Sequence, residues 1–440
     1  MNRYLIAFLI LALTPFCNGQ DQYDIQSLIN RVLEENYMIR VIRNEALILE
    51  NNNSIGNAGF LPTVDAQLTR SESKNNVSNE YFTGIVRESD KAKSDNLNSY
   101  VLLNWRVFDG FRMFAKREQL GLLQEMGALD ARYYIEQTVS DIANAWYQLV
   151  KEYQLLDNFN ETLEISRFRL FLEKRKLDIG TGNGLLYNQA LVDYNTDSLA
   201  IMSQKRLIKS LVIKINQIAK NDPEQDLIPS EKNFTVDITF EKDSLIKKAI
   251  EGNQNIKQAM IEEMIAETNI RLMRASYYPE VNLYGQYSFN KQTNEVGTIQ
   301  YGKTYGRQLG VTVRFNLFNG FNDKLLVDNS KISLENRTIQ KENTIMQIKS
   351  VVLDNYYQHA SITQQLIIAD QNIITAGKSL DIAKAQYEQG LISGFDFRET
   401  QLSLIRAQNA ATSLRYNSKS IEIELLRLSS DILQKYGGNN

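Results

Sequence analysis

Cysteine and histidine are almost missing from this chain. Its 440 residues carry one of each, Cys17 and His359. That excludes a disulfide framework, a Cys/His zinc centre and Ser-His or Cys-His catalysis built from several such residues. No enzymatic role, cofactor or metal is expected. A dominant charge is missing too, because 49 Lys and Arg against 52 Asp and Glu leave a formal net charge of −3. A nucleic-acid partner is therefore not expected. Proline occurs only at positions 15, 62, 223, 229 and 279, so long helices are allowed through most of the chain. Beyond the N-terminus there is no run of 18 apolar residues, and no transmembrane helix is expected there.

What is present begins with an export signal over residues 1–19. Arg3 supplies the positive start, Tyr4 to Leu13 an apolar stretch and Pro15 to Gly19 a polar exit. The stretch is well short of the roughly 20 residues that span a bilayer. A lipoprotein would be anchored at Cys17, but Thr14, Pro15 and Phe16 put no small residue before it. Export without a helical anchor is the resulting expectation.

The rest of the chain is duplicated. Trp105-Arg106-Val107-Phe108-Asp109-Gly110-Phe111 returns 210 residues later as Phe315-Asn316-Leu317-Phe318-Asn319-Gly320-Phe321. The same offset relates Trp146-Tyr147 to Tyr356-Tyr357, Gly180 to Gly390 and Gly184 to Gly394. Upstream, Ser27-Leu28-Ile29, Asn36, Ala58 and Pro62 match Ser244-Leu245-Ile246, Asn253, Ala275 and Pro279 at an offset of 217. Internal repeats of this kind set the architecture before any local motif does.

Each repeat has one order of parts. A helix-period segment leads to a proline, after which apolar residues alternate with polar ones as in half-buried strands. Repeat 1 (residues 20–219) is expected to hold strands at about 62–73 and 99–108, a long helix at about 112–179 and a return helix at about 185–219. A Pro-containing linker, 220–243, precedes repeat 2 (244–436), with strands at about 279–290 and 305–318, a long helix at about 322–389 and a return helix at about 395–436. The polar stretches Lys74 to Asn98 and Lys291 to Thr304 read as exposed loops. Ile142, Trp146, Leu149, Tyr153, Leu156, Phe159 and Leu163 step by three or four residues, the seam of a coiled-coil-like helix. Gly-marked turns, Gly180 to Gly184 and Gly390 to Gly394, join each helix pair.

Four strands cannot close a barrel, and hydrocarbon does not tolerate open sheet edges. A membrane reading therefore demands several chains sharing one barrel, with Asn104, Arg106, Arg314 and Asn316 on its water-filled side and aromatic residues such as Trp105 and Phe315 near the strand ends. The duplicated order of helix, strand, strand, long helix, turn and helix resembles the TolC family of outer-membrane efflux channels. So do the proline before each first strand and the Phe-Asp-Gly-Phe or Phe-Asn-Gly-Phe after each second one.

The resemblance covers essentially all of the chain after the signal. It implies an α+β homotrimer with a 12-stranded barrel in outer-membrane lipid, continued by a periplasmic helical barrel. It implies partners as well: a periplasmic adaptor protein and an inner-membrane pump of the resistance-nodulation-division or ABC type. By the same resemblance, Asp396 and Glu399 would narrow the periplasmic entrance, and the turns at Gly180, Gly184, Gly390 and Gly394 would meet the adaptor. The matching first-repeat positions, Leu186 and Gln189, are uncharged.

The expected function is an outer-membrane exit duct for efflux, with protein secretion or metal-ion efflux as variants of the same architecture. A structural coiled-coil envelope protein would not need paired hairpins with polar inner faces. An exported enzyme would lack its usual catalytic residues. His359 falls at the repeat position of Leu149, on the helical seam, and reads as packing rather than as a ligand. Tyr356 and Tyr357 read the same way, as packing within the helical wall.

Overall fold

A computed structural model describes residues 22–235 and 239–437. The expected signal segment, with Cys17, lies outside the described residues. In chain order the elements are β1 (Gln22–Tyr23), α1 (Ile25–Glu35), α2 (Tyr37–Asn52), β2 (Thr63–Glu80), β3 (Val86–Asp109), α3 (Arg112–Asp178), α4 (Gly184–Ala219), β4 (Ile228–Pro229), α5 (Lys242–Gly252), α6 (Gln254–Arg274), β5 (Glu280–Asn294), β6 (Tyr301–Arg314), α7 (Asn322–Glu388), α8 (Gly394–Leu428) and α9 (Ile432–Tyr436). They divide into two compact units. A helical unit takes in the described residues up to Arg40, Tyr134–Asn253 and those from Ile348 on. A sheet-bearing unit takes in Val41–Tyr133 and Gln254–Gln347.

In the helical unit the duplication extends to single hydrogen bonds. The opening helix of each repeat breaks at an asparagine, Asn36 or Asn253, held at φ −58° and −61° with ψ 128° in both. Asn36 Nδ2 donates to the carbonyl of Ile218 at 2.9 Å, and Asn253 Nδ2 donates to that of Leu428 at 3.1 Å. These carbonyls belong to the last turns of α4 and α8, where helical acceptors lack intrahelical partners. The next turn is repeated too: Lys220 and Ser430, 210 residues apart, both take left-handed backbone, φ 58° and 57°. The expected single return helix to 436 is therefore interrupted at Ser429–Asp431 before α9 resumes.

The core of this unit is built on the seam read from the sequence. Ile142, Trp146 and Leu149 are fully buried with Ile29, Ile215, Ile423 and Ile432. The linker takes part in it. Its β4 pairs in parallel with β1, and Leu227 and Phe234 are buried in the same core. Two apolar anchors therefore fix the Pro-containing linker between the repeats.

In the sheet-bearing unit, β2, β3, β5 and β6 form one antiparallel sheet in that order. The strands run further than the alternation reached. The β2–β3 ladder continues through Lys74↔Lys93 to Glu80↔Val86, and β5–β6 through Lys291↔Lys303 to Thr293↔Tyr301. The stretches read as loops are thus largely paired strand. Alternation fails there because neither face is apolar, yet backbone pairing does not require a buried face. At the other end β6 stops at Arg314, so Phe315 to Phe318 lie beyond the strand to which the sequence reading extended them. Arg314 pairs with Glu280, the first residue of β5 after Pro279, and no further partner remains.

The repeated Phe-x-Gly-Phe element turns strand into helix. Gly110 and Gly320 have φ +69°, and Phe111 and Phe321 follow at +70° and +65°. Two successive left-handed residues reverse the chain within one turn, and a side chain at the first is disfavoured. A Cβ on Gly110 would also meet the Ala275 carbonyl oxygen at 2.3 Å. The residue before each glycine caps the helix: Asp109 Oδ1 accepts from the Met113 amide at 3.1 Å, and Asn319 Oδ1 from that of Asp323 at 3.5 Å.

Candidate functional site

The sheet has two faces of opposite character. Residues paired across strands share a face, so Leu103, Val64, Gly285 and Leu309 form one rung, and Trp105, Leu283 and Val311 the next. This face is apolar and open: Leu68, Leu309, Val311 and Val313 are 71%, 77%, 63% and 64% exposed. From Val313 to Tyr305 it runs about 27 Å along β6. At a strand tilt of roughly 40° that is about 21 Å of height, close to the roughly 25 Å apolar band of an outer-membrane barrel. Trp105 stands at the helix-proximal end, where its indole Nε1 donates to the Phe60 carbonyl at 2.9 Å.

The opposite face carries Asn104, Arg106, Asn282, Gln286, Gln308 and Thr312 in register. Arg106 forms an ion pair with Glu280 at 2.8 Å, and Glu280 sits across the ladder from Arg314. Both arginines line a polar cavity of about 420 Å³ with Arg112, Asn316 and Asp323 at the helix-proximal end of the sheet. The four polar residues read as lumen-lining are therefore grouped on one side of the sheet end, although Asn316 lies just past the strand.

The Gly-marked turns belong to the helical unit. Gly180 and Gly390 follow α3 and α7 with φ +76° and +75°. Asn183 caps α4 and Ser393 caps α8. Ser393 and Asp396 form a capping box: the Ser393 hydroxyl accepts from the Asp396 amide at 3.1 Å, and the Asp396 carboxylate accepts from the Ser393 amide at 3.4 Å. Glu399 pairs with Arg406 at 3.0 Å. Both acids are exposed on the first turns of α8.

Beside them is a polar cluster that the sequence reading missed. Arg398 reaches Asp197 with both terminal nitrogens, each at 2.8 Å, and donates to Ser166 Oγ at 3.1 Å. Gln401 donates to the same hydroxyl and to the Thr162 carbonyl. Arg169 pairs with Asp193 at 2.5 Å. The Tyr387 hydroxyl donates to Glu173, and its ring stacks on Phe397 at 4.8 Å. Burial, and then the neighbouring Glu173 carboxylate, push the Tyr387 phenol above its ordinary range and keep it a donor. Burial works against the charge on Arg398, but the hydrogen bonds and charges of Asp197 and Asp193 outweigh it and raise its pKa.

One signal could have located this cluster. Arg169, Glu173, Asp193 and Asp197 of repeat 1 have Ser379, Ala383, Ser403 and Ala407 at their repeat positions, while Arg398 and Tyr387 answer Asn188 and Leu177. The two repeats diverge in a complementary way.

His359 packs edge-on against Phe240 at 5.4 Å, and burial lowers its pKa against the raising effect of Glu422. Tyr357 is 60% exposed, so packing within its own chain does not account for it. Among the described residues no group of His, Cys, Asp and Glu could hold a metal ion, and no helix is long and apolar enough to cross a membrane.

Comparison with known proteins gives a consistent picture. Residues 245–430 match the sequence model of the outer membrane efflux protein family. The chain is 19% identical to outer membrane protein TolC of Escherichia coli over 347 residues, 76% of this chain and 70% of that one. Against TolC of Vibrio cholerae the identity is 25% over 189 residues. That match spans 42% of this chain and 43% of the relative, less than half its length. Among solved structures, CusC superposes with a TM-score of 0.77 at 16% identity, covering 93% of this chain and 92% of that one. The outer membrane channel CmeC of Campylobacter jejuni gives 0.76 at 14% identity, with 94% and 89% covered. The fold is therefore that of these outer-membrane channels.

Proposed function

Because residues 245–430 match the outer membrane efflux protein family and the fold is shared with solved outer-membrane channels, we propose that the chain is an outer-membrane exit channel, working as a homotrimer that passes substrates out from a periplasmic adaptor and inner-membrane pump. One observation carries this reading: a four-stranded sheet with an apolar face, a polar face and two open edges, β2 and β6. Such a sheet is excluded from lipid unless its edges are paired, and three copies supply twelve strands for a closed barrel. The apolar face then meets lipid, and Asn104, Arg106, Arg314 and Asn316 meet water. The helices lie on the periplasmic side, and their turns at Gly180, Gly184, Gly390 and Gly394 are the surface offered to the adaptor. Ile367, Ile368, Ile374 and Ile382 of α7, 53–71% exposed in one chain, supply an apolar contact between protomers.

The entrance reading rests on position. Three copies of Asp396 and Glu399 around an axis would place six carboxylates at a narrow mouth, which favours cations and binds multivalent ones.

Two measurements test the channel. Light scattering of the detergent-purified protein should give three chains, and planar bilayers should show cation-preferring conductance; a stable soluble monomer would end the barrel reading. Cysteine labelling then checks the register. Lipid-soluble quenchers should reach probes at Trp105, Val311 and Val313 but not at Arg106 and Arg314, and the reverse pattern would place the wrong face in lipid.

A further inference from the structure

The apolar face of the sheet ends in a row of cations, of which Lys291, Lys303 and Arg307 have no ion pair of their own among the described residues. Lys291 and Lys303 are directly opposed on β5 and β6, a like-charge pairing that destabilises a ladder unless an anion lies against it. Arg307 is four residues further along β6 on the same face. It stands opposite Tyr287 within the apolar band and between Tyr305 and Leu309. All three cations are exposed, and none has an ion-pair partner among the described residues.

The nearest acid on that face is one rung beyond the lysines. It is Asp95, which faces Glu72 across the ladder; Arg70, on the lysines' own rung, occupies both Asp95 oxygens, at 2.8 and 3.3 Å. The lysine heads are steered by rings: Lys303 lies 5.4 Å from the centre of Phe289 and 5.7 Å from Tyr305, and Lys291 lies 5.8 Å from Tyr301. An aromatic and cationic rim directly above a lipid-facing band is the arrangement expected where side chains meet charged headgroups.

We propose that Lys291, Lys303 and Arg307 form a binding site for the phosphate groups of an outer-leaflet lipid, one site on each protomer. The inference rests on the barrel reading, because only that reading puts this face in lipid and the hairpin ends outside. Charge complementarity selects the ligand. Three cations without an ion pair of their own on one face call for an anion of more than one charge, and the apolar surface below them calls for acyl chains. Arg307 adds a planar fork suited to phosphate oxygens and extends toward the rim from inside the band.

The test is native mass spectrometry of the detergent-purified trimer titrated with diphosphoryl lipid A, with its dephosphorylated counterpart, and with inorganic phosphate as competitor. Single-channel conductance is recorded on the same preparations. The wild type should bind the phosphorylated lipid in preference to the dephosphorylated one, and millimolar phosphate should not displace it. The Lys291→Gln, Lys303→Gln, Arg307→Gln variant should lose affinity by about a hundredfold at low salt, roughly fivefold per cation, with its conductance unchanged. A Lys291→Arg, Lys303→Arg, Arg307→Lys variant should keep binding. Equal affinity of wild type and neutralised variant in a conducting trimer would overturn the site and leave the barrel standing. Equal binding of the dephosphorylated lipid, or displacement by free phosphate, would overturn the lipid-phosphate assignment. A wild type that neither conducts nor forms trimers would remove the barrel reading and the site with it.

Discussion

The long helices α3 and α7 have the same length, 67 residues, and equivalent places in the two repeats, yet within the helical unit they are used differently. On α3, Val139, Ile142, Trp146 and Leu149 are fully buried, and Tyr147 is 7% exposed. On α7, Tyr357 stands at the repeat position of Tyr147 and is 60% exposed, with Ile367 and Ile368 at 71% and 63%. Duplication therefore preserved the backbone devices, the asparagine breaks and the left-handed turns, while the side chains diverged. One helix supplies the core of its own chain, and the other leaves its apolar side chains exposed on the single chain.

One substitution made at two equivalent sites would break this comparison most sharply. Tyr147 packs against Phe234 with ring centres 5.4 Å apart, and Lys419 lies over its ring at 5.1 Å. Tyr147→Ala should destabilise the chain by about 3 kcal/mol, as expected for deleting a buried aromatic ring. Tyr357→Ala should cost the single chain under about 0.5 kcal/mol, as at other exposed sites. Thermal melting of the helical circular dichroism signal reads both, and equal losses would show that the two helices are equally packed.

The polar cluster next to the turns is the second divergence. Its carboxylates come from repeat 1 and its Arg398 and Tyr387 from repeat 2, so neither repeat could build it alone. Arg398→Met leaves Asp197 and Asp193 without this cation in a site where the Arg398 and Asp197 side chains are 12% and 11% exposed. The expected loss is about 3 kcal/mol, the lower end for breaking a buried pair. Adding Asp197→Leu should recover part of it, because the uncompensated charge is gone. A double variant no better than the single one would mean that an uncompensated Asp197 charge is not the source of the loss. Tyr387→Phe removes one donor from Glu173, whose side chain is 3% exposed and keeps Lys176 at 3.2 Å. About 1–2 kcal/mol should be lost on the same measurement.

Much of this architecture was legible because it is written twice. The Phe-x-Gly-Phe element and the shared offset of 210 locate the strand-to-helix turns, whose left-handed glycines and Asp or Asn caps have few substitutes. The helix breaks were not legible, since Asn36 and Asn253 act through carbonyls of Ile218 and Leu428, remote in sequence. The far halves of the hairpins were hidden because Lys74 and Lys93 pair as strand residues without an apolar face. The ion cluster was hidden for a different reason: Arg169, Asp193, Asp197 and Arg398 are ordinary helical charges until each is compared with its repeat position 210 residues away, where serine, alanine and asparagine stand instead.

The smallest effects separate the two acids of the proposed entrance, a repeat 2 feature with no counterpart at Leu186 and Gln189. Asp396 has a local task in the capping box of α8, so Asp396→Ala should cost about 0.5–1 kcal/mol through loss of the reciprocal bond and of an acid in the first turn. Glu399 has no such task. Its pair with Arg406 joins side chains that are 55% and 65% exposed, and Glu399→Gln should leave the melting temperature essentially unchanged. If the two acids also form a ring at the mouth, both substitutions should weaken block by a trivalent cation added on the periplasmic side in planar bilayers, since each removes three carboxylates from the trimer. Stability and block would then separate: Asp396→Ala lowers both, and Glu399→Gln lowers block alone. Block that survives Asp396→Ala and Glu399→Gln together would place the constriction elsewhere and leave Asp396 with only its capping role.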